Sequence, residues 1–378
     1  MRMPPPGRIV IVAIAGVVVL GSLAFFQARS SERELAASTL AMDTAAVGSV
    51  NEPGTDVPAA GSGFMADIAV EAVSDAESEG GAVASPAQTA GSGRNRAGED
   101  PDFAASMGWP VKGPAPLPGA VLPDNRIVCY YGNPNSTRMG ALGEFPKDEM
   151  LQRLRRQIDE WRRADPGTPV TPCLHMVAVV AQGEPGTTGH YRSIMRDADV
   201  QKVHDWSREL GGIFIVDIQV GTDDIRRILP RFDWIVKNTD VQVGVDPEFY
   251  MKGGERPGSR IGTMDAADIN YMIDHLSKLV REHNLPPKVL VVHRFTQRMV
   301  TNADRIRLDP NVQVVMHMDG WGPPWLKRDS YRDYVVREPV QYPGFKLFYH
   351  NDTKNGDPLM SPADLLRLHP VPLYIQYQ

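Results

Sequence analysis

The chain has 378 residues, a net charge of −6 and 23% charged residues, which excludes an overall positive field that would recruit nucleic acid. Its hydrophobic fraction of 42% is sufficient for a complete core. Two cysteines, Cys129 and Cys173, are too few for a disulfide scaffold or for a metal site built of cysteines. In an oxidising compartment, one disulfide bond between them is one alternative, and two buried thiols are the other.

The N-terminal segment has the pattern of a targeting signal. Arg2 and Arg8 precede residues 9–26, which contain no charge and are long enough to cross a bilayer as a helix. We predict an uncleaved signal anchor at residues 1–29, with a cleaved signal peptide as the alternative. The positive charges at the front predict that the rest of the chain lies outside the cytoplasm, anchored to the membrane or secreted if the anchor is cleaved.

Residues 30–121 are predicted to form a disordered linker. They are rich in Ala, Gly, Ser and Pro and contain few aromatic residues. Such a segment cannot bury enough apolar surface to offset its conformational entropy. The folded domain is therefore predicted at residues 122–378.

From residue 126 onward, strand-like and helix-like segments alternate eight times. Strand-like runs such as residues 126–132 are followed by segments in which apolar residues recur at helical spacing, such as Leu151, Leu154 and Ile158 in residues 147–164. The inner strands are nearly continuous Val, Ile and Leu, which is typical of a parallel sheet covered on both faces. We predict an α/β fold, a (β/α)8 barrel of the TIM type. A doubly wound open sheet is the alternative, but the sequence lacks the glycine-rich phosphate loop usual after its first strand.

Polar residues interrupt nearly every predicted strand close to its carboxyl end. In a parallel barrel these ends line the face where active sites lie. The residues that we expect there to bind substrate are Tyr130, Tyr131, His175, Gln219, Tyr250, His293, Arg294, His317, Trp321, His350, Asp352 and Gln376. Rings among them would stack on sugars.

Two carboxylates close the fourth predicted strand, in the sequence VQVGVDPEFYM of residues 241–251. Asp246 and Glu248 share one face of a strand, and two adjacent carboxylates cannot both ionise cheaply, so one keeps a raised pKa. A carboxyl group that stays protonated near neutral pH is what a general acid needs. We predict Glu248 as that acid and Asp246 as the residue that tunes it. Asp217 and Asp319 are the candidates for the second catalytic carboxylate.

The Asp-x-Glu motif at the end of this strand resembles the motif of chitinase-like and lysozyme-type glycosidases, in which the glutamate protonates the departing sugar oxygen. Over residues 126–378, segments such as VDPEFYM, LPPKVLVVHRF, HMDGWG and YIQYQ resemble a family of secreted or anchored bacterial proteins of the lipoprotein type, common in actinobacteria. The chain departs from that family by lacking the lipobox cysteine and by carrying Val220 and Phe249 where relatives carry Pro and Trp. This second resemblance implies an extracytoplasmic barrel and no particular activity.

Three functions are compatible with these predictions. The favoured one is a glycan-active hydrolase that acts on cell-wall or extracellular polysaccharide, without a cofactor, a metal or a nucleic-acid partner. The second is a metal-dependent hydrolase, because the strand ends offer residue types that bind zinc or manganese. These residues are His175, Asp217, Glu248, His293, His317 and His350. The third is a barrel that binds polysaccharide without turnover.

Overall fold

The computed structural model describes residues 98–378, so the predicted signal anchor and most of the predicted linker lie outside the described residues. Within this range, eight parallel strands pair in a closed ring, as the alternation predicts. They are β1 (Arg126–Gly132), β2 (Val170–Ala181), β3 (Ile213–Ile218), β4 (Val241–Val245), β5 (Lys288–Arg294), β6 (Val312–Met318), β7 (Tyr342–Leu347) and β8 (Tyr374–Tyr377). Strand β8 pairs with β1 and closes the barrel.

Helices and short strands fill the connections between the barrel strands. The helices are α1 (Pro101–Ser106), α2 (Ala141–Glu144), α3 (Lys147–Ala164), α4 (Asp197–Glu209), α5 (Ile225–Ile228), α6 (Asp233–Val236), α7 (Ala266–His283), α8 (Pro324–Tyr331) and α9 (Pro362–Leu365). The short strands are Arg192–Ile194, Met264–Asp265 and Val300–Thr301. Helix α3 buries Leu151, Leu154 and Ile158 against the barrel, which is the face that the apolar spacing predicts. No helix of residues 98–378 is long and apolar enough to cross a membrane.

Residues 98–121 fall within the predicted linker but contact the barrel domain. The indole of Trp109 is buried and donates a hydrogen bond to the carbonyl of Val336 at 2.9 Å. Glu99 pairs with Arg328 at 3.2 Å. Because an indole and an ion pair anchor this stretch, the packed region of the described chain begins before residue 122.

The barrel interior changes from apolar to polar along the strands. The part nearer the amino ends of the strands, called the lower part, is apolar. There, Cys129 on β1 and Cys173 on β2 lie opposite each other and form a disulfide. Strand residues two apart share a face, so the next inward positions on these strands are Tyr131 and His175. The same step leads from the apolar Ile215, Val291 and Val315 to Asp217, His293 and His317. Because inward-facing residues recur at every second position of a strand, these polar side chains lie in one layer of the barrel interior.

Candidate functional site

A cluster of buried polar side chains occupies the part of the barrel near the carboxyl ends of the strands. Each member is 8% exposed or less. The members are Tyr131, His175, Asp217, His293, His317, Asp319, Lys346, Tyr374 and Gln376. Burying so many polar groups is costly unless they pair with one another. The contacts within the cluster therefore define its chemistry.

Two glycines on barrel strands make space for this cluster. A Cβ atom at Gly244 on β4 would lie 2.5 Å from Oδ1 of Asp217 and 2.6 Å from Nε2 of His175. A Cβ atom at Gly344 on β7 would lie 2.7 Å from Nδ1 of His317. A side chain at either position would occupy the volume that the polar groups now fill. A glycine inside a strand often marks such a close approach.

His175 and Asp217 are both fully buried and contact each other. Their Nε2 and Oδ1 atoms are 3.2 Å apart, and the Tyr131 hydroxyl donates to Oδ2 of Asp217 at 3.1 Å. Nδ1 of His175 lies 2.6 Å from the hydroxyl of Tyr374 and 3.0 Å from Nε2 of Gln376. Burial lowers the pKa of His175 to about 4 against the opposing effect of Asp217, so this imidazole is neutral near pH 7.

A second group of contacts joins His293 to Asp319 and Lys346, near the carboxyl ends of the strands. Nδ1 of His293 lies 2.7 Å from Oδ2 of Asp319, and Nζ of Lys346 lies 2.8 Å from Oδ1 of the same carboxylate. Burial opposes the charge on His293, but the carboxylates of Asp217 and Asp319 outweigh it and raise the pKa of the imidazole. Burial also opposes ionisation of Asp319, yet Lys346 and His293 hold the pKa of this carboxyl well below its usual value.

Asp246 and Glu248 lie next to this group, as the sequence predicts, but they do not share a strand. Pro247 begins a 3-10 turn, Pro247–Phe249, and Oδ1 of Asp246 accepts a hydrogen bond from the backbone N–H of Glu248 at 3.1 Å. Gln219 donates to Oδ2 of Asp246 at 3.4 Å. Burial raises the pKa of Asp246 to about 7. Burial, followed by the charges of Asp246 and Asp319, raises the pKa of Glu248 well above its usual value.

A cavity of about 360 Å³ opens above the cluster. Glu248, Asp319 and Lys346 line it from the barrel side. The remaining wall includes Arg138, Glu144, Phe295, Trp321, Phe348 and His350. The cavity volume lies at the small end of the roughly 300–1,000 Å³ that is typical of ligand sites. Two of the four predicted catalytic carboxylates, Glu248 and Asp319, are therefore cavity-lining groups.

Tyr130 and Arg294, two predicted substrate-binding residues, point away from the cluster. Each is adjacent in sequence to an inward-facing residue, and neighbouring strand residues point to opposite faces. Tyr130 lies 3.1 Å, hydroxyl to hydroxyl, from Tyr349 on the helical side of β1. Arg294 pairs with Glu338 at 2.7 Å and donates to loop carbonyls. The structure therefore places Tyr130 and Arg294 outside the cluster, and their role in substrate binding stays a prediction.

Other predicted substrate-binding residues lie at different distances from the cluster. Tyr250 is buried, and the ammonium of Lys252 lies over its ring at 4.9 Å. Asp352 pairs with the buried Lys327 at 2.9 Å and supports a loop rather than the cavity. His350 lines the cavity, where Nε2 lies 2.8 Å from Oε1 of Glu144. Tyr250 and Asp352 are therefore not cavity-lining residues, whereas His350 is.

Lys346, Tyr374 and the two interior glycines were not predicted as parts of the site. Lys346 lies two positions after Gly344 on β7, and it shares the inward face with that glycine. The run GFKLF is otherwise apolar, so a lysine in its middle is the signal that was missed. A buried lysine requires a partner, and Asp319 is that partner.

No family model matches the chain, and no curated protein matches it. One solved structure to which it is similar is a sugar phosphate isomerase/epimerase from Parabacteroides distasonis ATCC 8503, with 10% identity and a TM-score of 0.25 over 68% of this chain and 90% of that chain. A likeness this distant carries no information on activity. The barrel assignment rests on the strand pairing, and the resemblance to the actinobacterial family stays a prediction.

Proposed function

We propose that the chain is a glycan-active hydrolase with Glu248 as the general acid and Asp319 as the second carboxylate. The observation that carries this proposal is the contrast between two carboxyl groups on one cavity wall. Asp319 contacts two basic partners, Lys346 and His293, whereas Glu248 forms no ion pair with any residue that the structure describes.

This contrast matches the requirements of glycosidic bond cleavage. One carboxyl group must be protonated to donate to the departing oxygen, and the other must be ionised to activate water or attack the sugar. Glu248 is suited to the first role because burial disfavours its charged form. Asp319 is suited to the second role because Lys346 pairs with it. Asp217, the other predicted candidate, is fully buried and does not line the cavity.

The cavity wall also offers surfaces that suit a sugar. Trp321, Phe295 and Phe348 are aromatic groups that can pack on the apolar face of a pyranose. The ammonium of the exposed Lys354 lies 3.6 Å from the ring centroid of Trp321, which is a cation–π distance. Aromatic rings beside a pair of carboxyl groups favour a carbohydrate over a purely apolar ligand.

We place this activity outside the cytoplasm, on a polysaccharide of the cell wall or cell surface, with the chain held to the membrane by the signal anchor predicted at residues 1–29 and with no nucleic-acid partner. The Cys129–Cys173 disulfide supports an oxidising compartment, in which such bonds persist. Protease treatment of cells tests this location. Because the proposed location is the cell surface or the periplasm, the outer envelope is opened while the cytoplasmic membrane is kept intact. Digestion of the barrel domain is then expected, and complete protection would contradict the location.

The catalytic proposal is tested by the hydrolysis of cell-wall polysaccharides and fluorogenic glycosides by the wild type and by Glu248→Gln. We expect kcat to fall about 10²- to 10⁴-fold in the variant, which is the usual contribution of a general acid. The same chemical change on the outer surface, Glu282→Gln, is the matched control and is expected to leave kcat unchanged. Wild-type hydrolysis should also decline as the pH rises through the raised pKa of Glu248.

Two results would contradict this function. Equal kcat in the wild type and in Glu248→Gln would remove the proposed acid. Binding of polysaccharide by the wild type without any release of product would favour the third hypothesis, a non-catalytic binding barrel.

A further inference from the structure

Below the cavity, three fully buried side chains from three strands direct donor atoms to one point. His175 belongs to β2, Asp217 to β3 and His293 to β5. Oδ1 of Asp217 lies 3.2 Å from Nε2 of His175 and 3.6 Å from Nε2 of His293. All three donor atoms lie within 4.8 Å of one another. None of the three side chains lines the cavity.

These inner atoms lack hydrogen-bond partners within residues 98–378, although the same side chains are firmly bonded at their outer atoms. The outer partners are the Tyr374 hydroxyl for His175 (2.6 Å), the Asp319 carboxylate for His293 (2.7 Å) and the Tyr131 hydroxyl for Asp217 (3.1 Å). Metal-binding histidines characteristically bond their second ring nitrogen to a carboxylate or another polar group. The outer contacts thus fix each ring or carboxylate with its free atom turned inward.

We propose that His175, Asp217 and His293 bind a divalent transition-metal ion. Bonds of about 2.0–2.2 Å in a tetrahedral site place neighbouring donors roughly 3.4 Å apart. The two measured separations, 3.2 and 3.6 Å, bracket that distance. Two imidazoles and one carboxylate suit zinc, and they also suit iron(II). Gly244 keeps this point open, because its Cβ atom would lie against both Asp217 and His175.

A second combination of ligands, His293 with His317 and Asp319, is less suitable. Its donor atoms also lie within 4.8 Å of one another. However, both oxygens of Asp319 already have partners, Oδ2 in His293 and Oδ1 in Lys346. An ion there would compete with the ammonium group of Lys346. The inner set does not use an oxygen of Asp319, so an ion there would not displace Lys346 from its partner.

A buried ion in this place would stabilise the barrel rather than take part in the reaction. It would join β2, β3 and β5 inside the ring and would neutralise the buried charge of Asp217. It would also fix His293, which contacts Asp319. The site contains neither of the two proposed catalytic carboxyl groups, Glu248 and Asp319.

The test measures metal content and thermal stability of the full-length chain in detergent, prepared without a histidine tag. The protein is stripped with a chelator, equilibrated separately with Zn²⁺, Fe²⁺ and Mn²⁺, desalted and analysed by mass spectrometry for bound metal. We expect about one Zn²⁺ or Fe²⁺ per chain and a higher Tm in the loaded protein. His175→Gln and Asp217→Asn should lose both effects. The exposed His283→Gln is the matched control and should keep them.

Several results of this experiment would overturn the proposed metal site. A wild type that retains none of the three metals would overturn the proposal, and so would wild-type stoichiometry in both His175→Gln and Asp217→Asn. If those variants do not fold, Gly244→Ala gives a second test, because its methyl group would obstruct two donor atoms without removing a polar group. Full metal content in a folded Gly244→Ala chain would also contradict the site. Activity is not used as a readout, so failure of the proposed hydrolase would leave this result unaffected.

Discussion

Substitution of Gly244 by alanine tests the geometry of the polar cluster without reference to function. The added methyl group would lie 2.5 Å from Oδ1 of Asp217 and 2.6 Å from Nε2 of His175, well inside van der Waals contact. Overpacking of a core by one methyl group costs about 1–3 kcal/mol. The loss of backbone freedom in the unfolded chain returns about 0.4–1 kcal/mol. We expect a net loss in the free energy of unfolding of about 1–2 kcal/mol.

The measurement is urea unfolding followed by tryptophan fluorescence, in the presence of a chelator so that loss of a metal does not contribute. Gly167→Ala is the matched control because it makes the same chemical change in an exposed turn, where the nearest atom to the new Cβ is 3.6 Å away. The control is expected to be as stable as the wild type or slightly more stable. If the free energies of unfolding of the two variants agree within about 0.5 kcal/mol, the crowding inferred at Gly244 is refuted.

Two further predictions concern stability. The pKa of Asp246 is raised to about 7 in the folded chain, whereas in the unfolded chain this carboxyl group loses its proton above about pH 4. The free energy of unfolding should therefore decline as the pH rises from about 4 to 7, because the folded chain keeps a proton that the unfolded chain has released. Urea midpoints across this range should fall less steeply for Asp246→Asn than for the wild type, and equal slopes would contradict the raised pKa. The disulfide joins residues that are 44 positions apart in the sequence. By the chain-entropy relation, the double variant Cys129→Ala/Cys173→Ala should lose about 4 kcal/mol in the free energy of unfolding, as measured with urea. An unchanged urea midpoint would show that the disulfide contributes nothing to stability.

The strands and their order could be predicted because each buried strand has a continuous apolar sequence. The run KVLVV before His293 is an example, since parallel strands covered on both faces need apolar residues on each side. The inward and outward faces could not be assigned with the same success, because a strand that is apolar on both faces has no alternation to indicate its phase. Tyr130 and Tyr131 show this limit, since only Tyr131 faces the interior.

The site could be predicted in part for a different reason. Asp246 and Glu248 could be identified because acidic residues directly after an apolar strand stand out from its sequence. Lys346 also interrupts an apolar run, but its role depends on Asp319, which lies 27 residues earlier, directly after strand β6. The two side chains meet only because β6 and β7 pair. The disulfide depends on register in the same way, since Cys129 and Cys173 are register partners on β1 and β2. Pairings of this kind are properties of the closed sheet and not of either segment.

The contact between His293 and Asp319 relates the two proposed sites chemically. To donate a hydrogen bond to Asp319, His293 must carry a proton on Nδ1. The neutral ring then has an unprotonated Nε2, which is the form that binds a metal, and this atom faces Oδ1 of Asp217. In the metal-free chain, the two carboxylates favour a proton at that position, and a metal ion would replace it. The carboxylate of Asp319 keeps its hydrogen bond in both states, so occupancy of the lower site would leave the ionised group at the cavity in place.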